Sequence, residues 1–155
     1  MKRLRKFFSL TGGDRLLLVK AVLLLAVIRV GLKLLPFQQL RGLLAKIAQP
    51  RAKLQAVDEA FVNKVAWAVR VASPYLRAVC LPQALATQVL LARCGYPTQL
   101  RIGITRSKGG QISAHAWLES QGEVVIGSAG NMARYIPVPL PEVGSDESGS
   151  WHLFT

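Results

Sequence analysis

The sequence predicts an α+β domain in which helices come first and an antiparallel sheet follows. Three observations carry this. Apolar residues recur with a helical period up to about Arg93. After Pro97 the period changes to two. Turn residues then divide the remaining chain into short alternating runs, which is a hairpin pattern rather than a strand–helix–strand pattern.

The elements follow in order. Residues 2–8, KRLRKFF, are a basic arm. Asp14 is the expected N-cap of a long apolar helix that runs to about Leu35. Pro36 opens a second helix, in which Leu40, Leu43, Leu44 and Ile47 recur on one face, and Pro50 ends it. Asp58 caps a third helix with Phe61, Val65, Ala68 and Ala72 on one face, and Pro74 closes it. A fourth helix begins at or beside Cys80, tolerates Pro82 in its first turn and stops at Gly95. The strands are Gln99 to Thr105, Ile112 to Glu119, Glu123 to Ile126 and Tyr135 to Val138. Ser107 to Gly110 and Ser120 to Gly122 are the expected turns. This divides the chain into a basic helical N-terminal region (1–74), a core (75–138) and a flexible tail (139–155).

Charge is uneven along the 155 residues. Residues 1–80 carry fifteen Lys and Arg against three Asp and Glu, an excess of twelve, while residues 81–155 carry five of each. The whole net charge of +12 therefore sits in the first half. The basic residues stand singly among Leu, Val and Ala, without an aromatic stacking platform, which argues against nucleic acid. An acidic peptide or protein partner fits better.

Residues 16–35 are the one candidate membrane segment, but Lys20, Arg29 and Lys33 break the apolar run. No small-residue cleavage site follows it. The segment reads as an amphipathic helix docked on the domain, with attachment to a membrane surface as the alternative. Cys80 and Cys94 lie at the two ends of one helix, roughly 20 Å apart at 1.5 Å per residue, too far to bridge. Two reduced thiols suit a cytoplasmic protein, peripheral to the membrane under the alternative reading. Two His and two Cys without ligand spacing give no metal site, and no cofactor is called for.

The chemistry centres on Cys80. A thiol attacks as the thiolate. A helix N-terminus stabilises negative charge and offers free N–H groups to an oxyanion. An imidazole can take the proton. Of the two histidines, His152 lies in the tail and His115 lies mid-strand between two alanines, so His115 is the candidate base. Against this stands the structural alternative that Cys80 is a small core residue. Cys94, at the far end of the helix, fits that alternative better.

A resemblance bears on the choice. Cys80-Leu81 opens a helix, and Leu90-Leu91 leads to Gly95-Tyr96-Pro97. The strand Leu100 to Ile104 follows, then Ala114-His115-Ala116-Trp117-Leu118-Glu119. This arrangement resembles the transglutaminase-like superfamily. More narrowly it looks like the leader peptidases of lasso-peptide biosynthesis, related to the C-terminal part of the microcin-processing proteins. Residues 14–37 also look like the helical N-terminal part of those peptidases. The resemblance implies a transglutaminase-like, papain-like core with the Cys-bearing helix packed on an antiparallel sheet. It implies Cys/His amide hydrolysis that frees a lasso-peptide precursor from its leader, with Cys80 as nucleophile and His115 as general base. The implied partners are the precursor leader, a small leader-recognition protein and an ATP-dependent macrolactam synthetase.

The family pattern commonly has an Asp on the strand after the His. Hairpin arithmetic pairs Glu119 with Glu123 and sets His115 opposite Gly127, which has no side chain. Glu119 shares a face with His115 but stands four residues along, roughly 13 Å away at 3.3 Å per residue. The orienting third group is therefore Ser128 or Asn131, a backbone carbonyl, or none. A transglutaminase-like module that binds a peptide or partner without catalysis is the competing reading.

Overall fold

The computed structural model describes residues 10–50, 56 and 58–140. The basic arm, His152 and the tail carboxylates Glu142, Asp146 and Glu147 lie outside the described residues. Among those described, four helices precede a four-stranded antiparallel sheet, so the fold is α+β. The helices are α1 (Gly12–Leu34), α2 (Phe37–Ile47), α3 (Glu59–Ala72) and α4 (Cys80–Arg93). The strands are β1 (Gln99–Arg106), β2 (Ile112–Ser120), β3 (Glu123–Ile126) and β4 (Ile136–Val138), in the spatial order β3-β2-β1-β4.

Capping residues explain most helix ends. Asp58 accepts from the N–H groups of Ala60 and Phe61 at the start of α3. At α1 the N-cap is Thr11 rather than Asp14, because the Thr11 hydroxyl accepts the Asp14 N–H at 3.3 Å. Asp14 thus moves into the first helical turn, where its carboxylate meets the Lys64 ammonium of α3 at 2.6 Å. Pro36 stands just outside α2 as its N-cap rather than as its first helical residue. α4 ends with the Tyr96 N–H on the Leu91 carbonyl, beyond the C-cap Cys94.

One core joins the helices to the sheet. Leu25 and Ile28 of α1, Val65 and Val69 of α3, and Leu81, Leu85 and Leu91 of α4 meet Ile102, Leu118 and Ile126 of the sheet. Gly31 makes room for α2, since a Cβ there would stand 2.6 Å from Leu40 Cδ1. Val62 rather than Phe61 lies in the buried set of α3, and Phe61 stacks on Tyr96 at the core's edge with centroids 5.2 Å apart.

The β2–β3 hairpin departs from the expected register. The turn has two residues, Gln121 and Gly122, with φ of 52° and 85°. Two positive φ values give the turn whose twist matches the strands it joins. Ser120 therefore pairs with Glu123, and Glu119 with Val124 rather than Glu123. A bulge then intervenes, and Leu118 pairs with Ile126. Val125 is the residue the ladder leaves over, and Arg70 of α3 donates to its carbonyl at 3.0 Å.

The Asp14–Lys64 pair predicts a pH dependence. The Lys64 ammonium first, and then Thr11, hold the Asp14 carboxyl below the usual carboxylate range. A depressed native value means that the pair's stabilisation is complete above the unfolded-state value of 3.8. It is lost as pH falls through the native value. Urea unfolding between about pH 6 and pH 2 is expected to show a shallower acid loss in Asp14→Asn than in the parent. Parallel profiles would remove Asp14 from the acid transition.

Candidate active site

The two candidate residues reach their places by different means. Cys80 is the first residue of α4 and is half-buried. The turn before it is tightly held. Ser73–Leu76 forms a 3-10 turn, with the Ser73 hydroxyl on the Val69 carbonyl at 2.6 Å. Arg77 then adopts φ 47°, a left-handed conformation that costs a residue with a side chain about 1–2 kcal/mol. Two side chains secure the successive carbonyls at the bend and just after it. Arg29 of α1 donates to the Arg77 carbonyl, and Gln83 Nε2 donates to the Ala78 carbonyl at 2.9 Å.

The N-terminus of α4 is chemically open. Its N-cap is Val79, which has no side-chain group to satisfy the first N–H groups. The first helical hydrogen bond runs from Gln83 N–H to the Val79 carbonyl at 3.3 Å, and Pro82 has no N–H. The Cys80 and Leu81 N–H groups are the helix-end donors at this place. Cys94 stands at the opposite end, at the C-cap, half-buried against the core.

His115 sits in the middle of β2, directly across from Gly103 of β1. Strand alternation puts it on one face with Trp117 and Glu119, while Ala116 and Leu118 face the core. The imidazole is held on three sides. Its Nε2 lies 2.5 Å from the Gly127 carbonyl oxygen. Its ring stacks beside Trp117 with centroids 6.2 Å apart, and Tyr135 lies across it at 5.2 Å. A carbonyl oxygen only accepts, so Nε2 carries a proton, and in the neutral ring Nδ1 is the nitrogen with the lone pair.

The group hydrogen-bonded to the His115 ring is therefore a backbone carbonyl, the second of the three options left open by the sequence. Ser128 and Asn131 are exposed, and neither makes a hydrogen bond to the ring. Gly127 makes the contact geometrically feasible. Its φ is 87°, and a Cβ there would stand 2.6 Å from the Ala116 carbonyl oxygen and 2.9 Å from Trp117 Cα. Both neighbours are backbone, so neither can swing aside. No hydrogen bond joins Cys80 Sγ to the His115 ring.

A second layer fixes Trp117. Its indole Nε1 donates to Glu119 at 2.7 Å, and Glu119 also pairs with Arg101 Nε at 3.2 Å. Glu119 is thus engaged two residues along the strand rather than at His115. The indole lies over Gly103, where a Cβ would come within 2.9 Å of both the ring and Tyr135 Cβ. Tyr135, Arg101 and Gly103 were not singled out by sequence reasoning. A glycine inside an alternating strand was the available signal, since it marks the close approach of another group. Among the described residues no group of three His, Cys, Asp or Glu side chains converges to hold a metal ion.

Gly127→Ala is expected to lower stability by about 2 kcal/mol or more, from left-handed strain and backbone overlap. The same change should release the imidazole. Urea unfolding measures the first effect, and the His115 ring resonances in NMR measure the second. Unchanged ring shifts in a folded variant would show that the Gly127 carbonyl does not hold the ring.

Comparison with known proteins places the chain in a family. No curated protein and no solved structure matches the chain. The sequence model of the transglutaminase-like superfamily matches residues 22–139, which covers α1 from its eleventh residue through β4. The match includes Cys80, His115 and Gly127 together with most of the N-terminal helical part. The chain belongs to the transglutaminase-like superfamily.

Proposed function

We propose that the protein is a cysteine peptidase that removes the leader from a lasso-peptide precursor, with Cys80 as nucleophile and His115 as base. The observation that carries this reading is the bond between His115 Nε2 and the Gly127 carbonyl. It fixes the tautomer in which Nδ1 is basic, which is the job an Asp does in other thiol enzymes. Membership of the superfamily supports acyl chemistry at a thiol, and the open N-terminus of α4 supports anion stabilisation beside Cys80.

The steps follow from these groups. His115 Nδ1 takes the Cys80 proton, and Sγ attacks the scissile carbonyl. The N–H groups of Cys80 and Leu81 at the start of α4 are the donors offered to the developing oxyanion. The imidazolium, steadied by the Gly127 carbonyl, returns its proton to the leaving amine. A water deprotonated by His115 then releases the acyl group from sulfur. In the proposed setting a small recognition protein presents the leader. The freed amine passes to an ATP-dependent macrolactam synthetase.

A second reading has its own observation. With no hydrogen bond between Cys80 and His115, and with a neutral carbonyl in place of an acid, the same fold could hold a peptide without cutting it. One pair of measurements separates the two. Under the peptidase reading a thiol-reactive probe near neutral pH labels Cys80 in preference to Cys94. His115→Ala slows that labelling by about 100-fold. Cys80→Ala abolishes precursor cleavage, while Cys94→Ala leaves most of it. Slow labelling of Cys80 that is indifferent to His115→Ala, with no cleavage, selects the binding module.

A further inference from the structure

The core uses one apolar face of α1 and leaves a second one outside. Leu18, Ala21, Leu25 and Ile28 are buried. On the other side Leu16, Val19, Leu23, Val27, Val30 and Leu34 recur three or four residues apart. They fall within a stripe about 80° wide at 100° per residue. All six are exposed, Leu23 by 61% and Leu34 by 75%. Lys20 and Lys33, both exposed, stand on opposite edges of the stripe. The acid of this helix, Asp14, is engaged by Lys64.

We propose that this face of α1 lies on an anionic lipid surface. The inference does not rest on the peptidase reading. The stripe runs along a 23-residue helix, about 35 Å at 1.5 Å per residue. Such a face can sink its aliphatic side chains just below the headgroups while the flanking lysines reach up to phosphate. The helix lies along the surface rather than crossing it. Its other face is fixed in the core, and among the described residues no helix is long and apolar enough to cross a membrane.

Two other occupants fit less well. Protein-docking sites centre on Trp, Tyr and Arg with directional hydrogen bonds. This stripe is purely aliphatic and has no hydrogen-bonding side chain. A second copy of the chain would bring basic edges against basic edges, which is unfavourable. A lipid surface needs no directional partner and supplies the negative charge that Lys20 and Lys33 complement.

The test is flotation of the full chain with vesicles of phosphatidylcholine alone, and of phosphatidylcholine with about one quarter phosphatidylglycerol. Binding is expected to the second and not the first. Leu23→Gln with Val27→Gln should weaken it at least about tenfold, since both side chains leave the lipid. Because both positions are exposed, thermal unfolding should match the parent. Lys20→Glu with Lys33→Glu leaves the stripe intact and should also weaken binding, which keeps the test open if the first variant misfolds. Failure of the parent chain to float with the anionic vesicles overturns the proposal. So does undiminished binding by the glutamine variant, which would assign the attraction to charge elsewhere in the chain. A dimer that the glutamine variant disperses, without vesicle binding, assigns the face to a second copy and also overturns it.

Discussion

The close approach of residue 127 to β2 is the constraint on which the site depends. A backbone carbonyl meets the His115 ring because Gly127 has no Cβ and takes φ 87°. Any side chain there would press on the Ala116 carbonyl and the Trp117 backbone. The absence of an acid and the presence of a glycine are thus one fact. The position gives up its side chain and brings its main chain in instead. A carbonyl supplies direction without charge: it selects a tautomer and accepts from an imidazolium, but its dipole attracts that cation less strongly than a carboxylate would.

The rest of the ring's surroundings compensate with shape. Trp117 and Tyr135 flank the imidazole, and Trp117 is itself tied to Glu119, which Arg101 holds in turn. Gly103 opens the space into which the indole and Tyr135 fit. Two strands, β1 and β2, contribute to this packing, with Tyr135 entering from the connection that leads to β4. The imidazole thus has two aromatic neighbours as well as its hydrogen bond.

α1 connects several parts of the molecule. Its inner face helps build the core, its Arg29 secures the bend before Cys80, and its outer face carries the exposed aliphatic stripe. A single helix thus contacts the loop that delivers the candidate nucleophile and also presents the surface assigned to lipid. Removing it would expose the core and loosen the α4 N-terminus together. The family match agrees, since it begins inside α1 rather than at α4.

The sequence by itself determined the element order, the helix that starts at Cys80, and that His115 is the one histidine among the described residues. These are local or countable properties: hydrophobic period, proline and glycine punctuation, a census of histidines. It also located Gly127 near His115, although by a register that the structure corrects. The two-residue turn shifted the pairing by one residue and the bulge at Leu118/Glu119 shifted it again, and neither is set by alternation alone. Only the tertiary structure decided what holds the ring, because Gly127, Trp117 and Tyr135 meet through contacts between strands. Only it decided that α1 has two apolar faces with different fates. A helical wheel shows where apolar residues point, but which of them become buried depends on where α3 and α4 pack.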